Sequence, residues 1–456
     1  MSVISSVVNF KENLSKNAPY YSLLSEQLVG SNRDIRVYEH AALAASQKES
    51  VTSIICEGYQ FVIAFSGTLY NTDGLFSKLS ALGYRFIDNS NAELALFSYI
   101  HFGEESPGLL SGNFSYIIYD AMRRRIFAAV DDKASCPVFY FQNGDSTFLS
   151  SKPDSIFSRY KVSASLMPSG ISRLLSASGA HYAEVFRGLK PISPSHFLKI
   201  SNSGISEMAY TKNCENPSPC DIIKKHLRKN PQKIGVISVN TQEDSRLLEL
   251  IFEQDSTAQL TVFSPERYDY LKNYPLLWQK INFTDDSVFS ALEYAVSVCG
   301  MPYFSGYDFL LAQLLRRNFR KDTLLFTAFG GKYTDSDGVF EKNNALHTPV
   351  SESLVPCTPS DFVPCTPQIL ADSLDICSAE PFYDSPIIHM DFAKTQLRHI
   401  LLSIIAKDTS PILAFYKRGA LLRLCEGGFD RLHECALLEY LIKLNIWLEK
   451  FRPILL

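Results

Sequence analysis

The sequence lacks the features typical of exported, membrane-spanning and nucleic-acid-binding proteins. It has no stretch of about 18 apolar residues, and it does not start with a basic region followed by an apolar one. We therefore expect neither a membrane span nor a signal peptide. The 44 basic and 48 acidic side chains leave a net charge of -4, which gives no electrostatic reason to expect nucleic acid or an anionic membrane as a partner. The ten cysteines form no C-x-x-C pair, which predicts free thiols in a reducing cytoplasm.

Motifs of common hydrolase and metal sites are also missing. The sequence has no G-x-S-x-G, no H-E-x-x-H and no Walker loop, which argues against a serine-hydrolase elbow, a zinc protease and a P-loop. A Pro-Cys-Thr-Pro repeat at residues 356–359 and 364–367 has only His347 as a nearby histidine. Isolated cysteines in a proline-rich stretch are usually loop residues, so we predict no metal site.

The N-terminal half contains short strand patterns and two amphipathic helix patterns. The predicted helices cover residues 73–82 and 92–102, where apolar residues recur at helical spacing. The predicted strands cover residues 61–65, 114–119, 125–130, 138–141 and 147–150. Asn143-Gly144, between the last two strands, is typical of a hairpin turn. Many strands with inserted helices predict sheets covered by helices.

A polar stretch from 201 to 233, with two prolines, is typical of a domain boundary. We therefore predict domains over residues 1–205 and 220–456. In the second domain, strand and helix patterns alternate, which predicts a parallel sheet with helices on both faces. The strands are predicted at 233–238, 259–263 and 323–327, and the helices at 243–252, 288–299 and 308–319. A Ser/Thr/Pro-rich stretch from 338 to 378 predicts a long loop over a site, and the chain end is predicted to be helical, with a helix over 435–451.

Several motifs, in consistent order, resemble those of one enzyme family. In the N-terminal half they are Phe65-Ser-Gly-Thr-Leu-Tyr-Asn71 for F-N-G-E-I-Y-N, Ser90-Asn-Ala-Glu93 for S-D-T-E, Leu110-Ser-Gly-Asn-Phe-Ser-Tyr-Ile-Ile-Tyr-Asp120 for L-N-G-M-F-A-F-A-I-Y-D, and Phe186-Arg-Gly-Leu-Lys-Pro-Ile-Ser-Pro194 for F-x-G-I-x-x-L-P-P. In the C-terminal half they are Gly330-Gly331, Pro381-Phe-Tyr-Asp384, Lys417-Arg-Gly419 and Trp447-Leu-Glu-Lys-Phe451. The family they resemble is glutamine-dependent asparagine synthetase, with its relatives β-lactam synthetase and lasso-peptide cyclase.

This resemblance implies an α/β protein of two parts. The first is an N-terminal Ntn-hydrolase-like αββα sandwich of the class 2 glutaminase type. The second is a C-terminal nucleotide-binding domain with a parallel sheet, of the adenine nucleotide α-hydrolase-like type, ending in helices.

The resemblance also implies a glutaminase site whose key groups are altered in this chain. The family's nucleophile is an N-terminal Cys, and this chain has Ser2, a poorer nucleophile that a free terminal amine could still activate. Ser66 stands for the Asn that helps stabilise the oxyanion, and Thr68 and Asn91 stand for the Glu and Asp that pair with the substrate ammonium. Loss of these carboxylates removes charge-assisted contacts, so we predict that the glutaminase is inactive.

The implied ATP site is altered in the same way. The family's S-G-G-L-D-S-S loop, whose backbone N–H groups bind pyrophosphate, reads Val-Asn-Thr-Gln-Glu-Asp-Ser at residues 239–245. The remaining candidates for nucleotide contact are Asn240, Thr241, Ser245, Gly330 and Gly331. Lys332-Tyr333 replaces the acidic pair that handles magnesium, and a lysine cannot hold Mg²⁺. Lys417 stands where the family has a catalytic lysine that stabilises charge during amide formation. The alternative is a surface lysine near a helix end, which is the commoner case.

Two hypotheses follow from these departures. In the first, the chain is a silent homologue that acts as a binding or regulatory subunit, with an active homologue or a second copy as its partner. In the second, it is an ATP- and Mg-dependent, AMP-forming carbon–nitrogen ligase that acts on a small-molecule or peptide substrate. The altered 239–245 loop favours the first.

Overall fold

The structure is a computed structural model, and it divides the chain into two compact units. It describes residues 3–21, 34–46, 50–134, 136–152, 185–214, 242–264, 267–280, 393–427 and 432–451, with shorter segments and single residues between them. One unit comprises Met1–Ser163 and Gly188–Pro217, and the other comprises Ala164–Arg187 and Ser218–Leu456. The segment 164–187, placed in the first domain by the sequence, thus groups with the second unit. The domain limits at 205 and 220 stay predictions.

Two six-stranded antiparallel sheets form the first unit. Sheet A has the strand order β10-β8-β9-β1-β3-β2, and sheet B has the order β12-β11-β7-β6-β5-β4. The strands are β1 Ile4–Val8, β2 Asp34–Val37, β3 Ala41–Ala45, β4 Val51–Cys56, β5 Tyr59–Leu69, β6 Gly112–Asp120, β7 Arg125–Val130, β8 Phe139–Asn143, β9 Ser146–Ser150, β10 Lys190–Pro191, β11 His196–Ser201 and β12 Gly204–Ala209. The strands predicted at 61–65, 114–119 and 125–130 are confirmed as parts of β5, β6 and β7.

Alternation along the strands produces two separate cores, one on each side of sheet B. On β5, Val62 and Ala64 face the space between the sheets, where they pack with Ile4 and Val8 of β1. The neighbouring residues Phe61, Ile63 and Phe65 face the other side. There they meet the helices α1 Thr72–Ala81 and α2 Asn91–Phe102. Both helix predictions are confirmed, and in the described part of this unit sheet B carries these helices on its outer face.

The interpretation of 201–233 as a polar boundary was wrong at its start. Residues 204–209 form β12, which pairs along its length with β11. Its alternate side chains are exposed because β12 is the edge strand of sheet B. Backbone hydrogen bonds with β11 hold β12 in the sheet, so this strand needs no apolar run. Its composition therefore resembles that of a loop.

The second unit contains a four-stranded parallel sheet with the order β15-β14-β13-β16. Its strands are β13 Ile234–Ile237, β14 Leu260–Ser264, β15 Leu276–Lys280 and β16 Leu324–Thr327, and two short strands, β17 Lys332–Tyr333 and β18 Phe340–Glu341, form a separate pair. The helices are α3 Gln242–Gln254, α4 Arg398–Ile405, α5 Arg418–Glu426 and α6 Leu432–Phe451. The strands predicted at 233–238, 259–263 and 323–327 are confirmed, whereas β15 was missed. The helix predicted at 308–319 and the stretch 338–378, apart from β18, lie outside the described residues. None of the described helices is long and apolar enough to cross a membrane.

An ion-pair network joins α2, β7 and β11 through Glu104, which follows α2. The guanidinium of Arg125 donates to Glu104 Oε1 at 2.9 Å, and Lys199 Nζ donates to Glu104 Oε2 at 3.0 Å. Burial alone would raise the pKa of Glu104, but the hydrogen bonds from Lys199 and Arg125 lower it below its ordinary value of 4.5. Folding therefore favours the ionised form of this carboxylate.

We expect Glu104→Gln to lower the thermal unfolding midpoint at pH 7 and to have less effect in acid. The pKa of Glu104 is lower in the folded state than in the unfolded state, so its ionised carboxylate stabilises the fold. This stabilisation is complete at pH values above the unfolded-state pKa, and it is lost as the pH falls through the folded-state pKa. The difference between wild type and variant should thus shrink from pH 7 towards about pH 3.5. Thermal unfolding followed by circular dichroism measures it, with the exposed neighbour Glu105→Gln as control. A difference that stays constant with pH would contradict the assignment.

Candidate functional site

Uncharged polar side chains gather at one end of the space between the two sheets. Ser66 and Thr68, at the end of β5, lie opposite Ser115 and Asn113 at the start of β6. Because Val62 and Ala64 face the inter-sheet core, alternation directs Ser66 and Thr68 to the same side. Ser66 is buried, with 1% of its surface exposed. The two positions that the sequence singled out on this strand thus share one face.

Two glycines bring β5 and β6 unusually close at this end. Gly67 has φ +113°, and a Cβ built there would lie 2.0 Å from the carbonyl oxygen of Asn113. Gly112 has φ +147°, and its Cβ would lie 2.1 Å from the carbonyl oxygen of Thr68. Each glycine therefore faces the backbone of the other strand, and only a hydrogen atom fits.

The turn that follows β5 is fastened to the segment before β6. Asn71 donates through Nδ2 to the carbonyl oxygen of Leu109 at 2.8 Å and accepts at Oδ1 from the Ser111 N–H at 3.0 Å. The Tyr70 N–H donates to the carbonyl oxygen of Ser111 at 2.7 Å. The amide side chain of Asn71 thus bonds to two backbone groups of the segment before β6. It fixes the end of β5 relative to the start of β6.

The start of β1 is anchored by two buried serines. The Val3 N–H donates to Ser46 Oγ at 2.9 Å, and the Ile4 N–H donates to Ser151 Oγ at 3.0 Å. The Ser46 and Ser151 N–H groups donate in turn to the carbonyl oxygens of Val3 and Ile4. Ser2, the predicted nucleophile, lies outside the described residues, directly before this anchored pair.

The loop before α2 is built around a buried carboxylate that the sequence reasoning missed. Glu93 accepts from the backbone N–H groups of Ile87 at 2.7 Å, Asp88 at 3.2 Å and Asn89 at 3.0 Å. Ser90 caps the helix, since its Oγ accepts from the Glu93 N–H. In the sequence, the S-x-x-E spacing from Ser90 to Glu93 is typical of a capping box and indicates this helix start. Asn91 stands where the resemblance implies an Asp that pairs with the substrate ammonium. It is the first residue of this capped helix.

A second buried carboxylate, Asp131, closes β7 at the same end of sheet B. It accepts from the Phe114 N–H at 3.1 Å and from the Lys133 N–H at 2.8 Å. Burial raises the pKa of the nearby Tyr70, and Cys136 and Asp131 act in the same direction. Tyr70 therefore stays protonated at neutral pH and is unsuited to act as a base. Among the described residues no group of His, Cys, Asp and Glu could hold a metal ion.

In the second unit, the carboxyl ends of β13 and β16 lie side by side at one edge of the parallel sheet. Among the residues predicted to contact the nucleotide, Ser245 is half-buried and lies near the start of α3. Asn240 and Thr241, which precede α3, and Gly330 and Gly331, which follow β16, lie outside the described residues. Parallel α/β sheets bind ligands at such an edge where the strand order reverses, and here it reverses at β13.

Lys417 and Lys332 occupy different positions in the second unit. Lys417 is exposed and immediately precedes α5, without capping it through its side chain. Lys332 belongs to the two-residue strand β17. Ser245 lies near the start of α3 and Lys417 directly before α5, and no hydrogen bond among the described residues joins them.

Comparisons with a family model and with curated proteins find similarity over part of the chain. Residues 39–211 match the family model of a glutamine amidotransferase domain. The chain is 32% identical over 156 residues to asparagine synthetase (glutamine-hydrolyzing) 3 of Bacillus subtilis (strain 168), covering 34% of this chain and 25% of that protein. Over 78 residues it is 31% identical to asparagine synthetase (glutamine-hydrolyzing) of Zea mays, covering 17% of this chain and 13% of that protein. It thus spans about a quarter of the length of the first relative.

Among solved structures, one similar to this chain is the glutamine phosphoribosylpyrophosphate amidotransferase from B. subtilis complexed with ADP and GMP. It shows 10% identity and a TM-score of 0.36, covering 75% of this chain and 85% of that one.

Proposed function

From a glutamine amidotransferase domain over residues 39–211 that is similar to asparagine synthetases, we propose that this chain is an asparagine-synthetase-like protein that no longer hydrolyses glutamine. In this proposal the domain acts as a binding or regulatory module for an active homologue or a second copy. The proposal rests on the Ser66–Gly67–Thr68 segment at the end of β5, which keeps a close backbone approach to β6 but carries no charged side chain. We also propose that the protein is cytoplasmic. This agrees with the free thiols of the described cysteines, which are Cys56, Cys136, Cys214 and Cys425.

The side chains at the end of β5 and the start of α2 explain the proposed loss. A glutamine ligand carries an ammonium and a carboxylate, and burying the ammonium without an anionic partner is costly. Thr68 and Asn91 offer only neutral groups where the resemblance implies carboxylates. Ser66 has a shorter reach than the asparagine amide expected at the oxyanion. Ser2, in place of a cysteine thiolate, weakens the nucleophile as well.

We expect the full-length protein to release no glutamate from glutamine above the rate of the Ser2→Ala variant. Ser2→Cys alone should stay inactive, because the ammonium and oxyanion contacts are still missing. Adding Ser66→Asn, Thr68→Glu and Asn91→Asp to Ser2→Cys should yield measurable glutamate, because the backbone at the end of β5 is already in place. A coupled glutamate assay measures these rates. Glutamate release by the wild type that depends on Ser2 would overturn the proposal.

The second candidate function, ATP-dependent formation of an amide bond, is favoured by the sheet of the second unit. Its strand order reverses at β13, beside the loop that precedes α3. In that case Asn240, Thr241, Ser245, Gly330 and Gly331 would contact the nucleotide, and Lys417 would act in amide formation. The residues do not fit a magnesium ion, since Lys332 and Tyr333 replace the acidic pair.

Titration calorimetry with MgATP, followed by pyrophosphate exchange with candidate carboxylic acids, separates the two functions. Micromolar ATP binding and acid-dependent exchange would support the ligase. Absence of both, together with the absence of glutamate release, supports the binding module.

A further inference from the structure

The strand β4 forms one edge of sheet B among the described residues, and its sequence favours pairing with a further strand. It reads Val-Thr-Ser-Ile-Ile-Cys, without charge, proline or glycine, and most of its residues are β-branched. Its pairing with β5 is one-to-one from Val51–Ala64 to Cys56–Tyr59, so no bulge interrupts the strand. An edge strand of this kind presents a regular row of backbone N–H and C=O groups to a partner.

The other described edges of the first unit each carry a feature that discourages such pairing. On sheet A, β2 bears an ion pair of 2.9 Å between Arg36 Nε and Asp34 Oδ1, and β10 has only two residues, one of them Pro191. On sheet B, β12 carries Glu207, whose carboxylate accepts from the Ser193 N–H at 2.7 Å. Among these edges, β4 alone combines a full strand length with the absence of charge and proline.

The backbone of β4 directs hydrogen-bonding groups outward. Gln60 of β5 lies opposite Ile55, and its carbonyl oxygen accepts from the Ala121 N–H on the side of β5 that faces away from β4. The backbone groups of Ile55 therefore point away from β5. Those of Ser53 do the same, because the hydrogen-bonding residues alternate along an antiparallel strand. Ile55 and Ser53 are thus oriented to pair with a further strand.

Apolar side chains beside this edge are exposed on both faces of sheet B. Ile55 is 68% exposed. Tyr59, which lies opposite Cys56 and hence on the other face, is 46% exposed. A further strand would cover part of both side chains, and the burial of apolar surface stabilises association.

The charge pattern of β4 selects a second copy of the chain as the partner. When two identical strands pair antiparallel about a two-fold axis, the residues near the axis meet their own copies. A charged residue there would face a like charge, which destabilises a cross-strand pair. Since β4 carries no charge, it is compatible with itself. Each chain has one such edge in the described part of its first unit, so the pairing closes at two chains.

We propose that two copies of this chain associate through β4, in an antiparallel pairing that joins their B sheets into one. This inference rests on the proposed function, which gives the chain a binding role with a second copy among its partners, and it names the surface that binds. The backbone groups of Ser53 and Ile55 supply the hydrogen bonds, and the side chains of Ile55 and Tyr59 supply the apolar contact.

Sedimentation velocity of the full chain over a concentration series, under reducing conditions so that no thiol links two chains, tests the proposal. We expect the wild type to form a dimer and Ile55→Lys to associate about 100-fold more weakly, because the variant brings two like charges together at the joined edge. Hydrogen–deuterium exchange over residues 51–56 should be slower in the wild-type dimer than in Ile55→Lys, because strand pairing protects the outward amides.

Ile87→Lys is the matched control. Ile87 is 89% exposed and precedes α2, so the variant makes the same exchange of side chains away from β4 and should remain a dimer. Both variants should keep the unfolding midpoint that the wild type shows at concentrations where it is monomeric, since both side chains are exposed.

A wild type that stays monomeric at all concentrations would overturn the proposal. A dimer that persists in Ile55→Lys, that Ile87→Lys also disrupts, or that gives residues 51–56 no added protection would overturn it as well. Glutamate release by the wild type, by contrast, would overturn the proposed loss of hydrolysis and leave these measurements of association as they stand.

Discussion

Replacing Gly67 by alanine is expected to lower the free energy of unfolding of the first unit by about 3 kcal/mol. Two costs add up at this position. Its φ of +113° is strained for any residue with a Cβ, and the new methyl group would lie 2.0 Å from the Asn113 carbonyl oxygen. The colliding atom belongs to the backbone of the adjacent strand, which hydrogen bonds hold on both sides, so it cannot move away easily.

Gly204→Ala is the control that separates these two costs. Gly204 has a similar φ of +125°, but nothing lies within 4 Å of the Cβ position. Its substitution should therefore cost only the backbone strain, about 1–2 kcal/mol. Urea unfolding followed by circular dichroism measures both variants. Equal losses would mean that the close approach of β5 and β6 contributes nothing, which would contradict the geometry.

Replacing Lys443 by methionine is expected to destabilise the second unit by about 3–5 kcal/mol. Lys443 Nζ lies 2.6 Å from Glu439 Oε1 one helical turn earlier on α6, and the two side chains are only 1% and 2% exposed. Removal of the lysine leaves a carboxylate in the protein interior without its cation. The cost comes from that uncompensated charge more than from the loss of attraction.

The double variant Lys443→Met with Glu439→Leu distinguishes this cause from a loss of packing. With both charges gone, most of the stability should return, since apolar residues of similar volume replace a buried ion pair at little cost. Lys407→Met, at an exposed lysine of the same unit, should change stability by less than about 0.5 kcal/mol. Thermal unfolding of the full chain measures all three. A double variant as unstable as the single one would refute the electrostatic explanation.

The buried ion pair also illustrates where the sequence misleads. Glu439 and Lys443 are four residues apart on a predicted helix, which is the spacing of a solvent-exposed charge pair. The structure buries both, because the packing of α6 decides which of its faces is covered. Sequence spacing predicts which residues share a helix face, but the burial of that face depends on tertiary contacts.

The strands that were predicted and those that were missed differ in composition. The strands β5, β6 and β7 are recognisable in the sequence because they contain apolar runs, such as Phe61–Phe65, that are typical of a buried strand. β1 has two serines in a five-residue strand that is buried throughout, so its apolar pattern is interrupted. β15 is an edge strand whose apolar Leu277 is exposed, so its sequence does not show the alternation of a half-buried strand. β1 is held by pairing with β3 and with the distant strand β9, and β15 is held by pairing with β14.

The candidate site was predictable in position but only partly in mechanism. Ser66, Thr68 and Asn91 could be located by their resemblance to motifs, and the structure places Ser66 and Thr68 on one face. The S-x-x-E spacing indicates a helix start at Ser90, but the contacts of Glu93 with three backbone N–H groups depend on a loop conformation that the sequence does not show.

The mutual approach of Gly67 and Gly112 has a consequence for the alignment of β5 and β6. If β5 slipped by two residues, Phe65 or Leu69 would take the place of Gly67, and its Cβ would overlap the Asn113 carbonyl. A slip by one residue would turn the inter-sheet face of β5 outward. The two glycines therefore act as a steric lock that admits a single alignment of the strands. Ser66 and Ser115 owe their position opposite each other to this lock, so their spacing is built into the backbone and does not depend on a ligand.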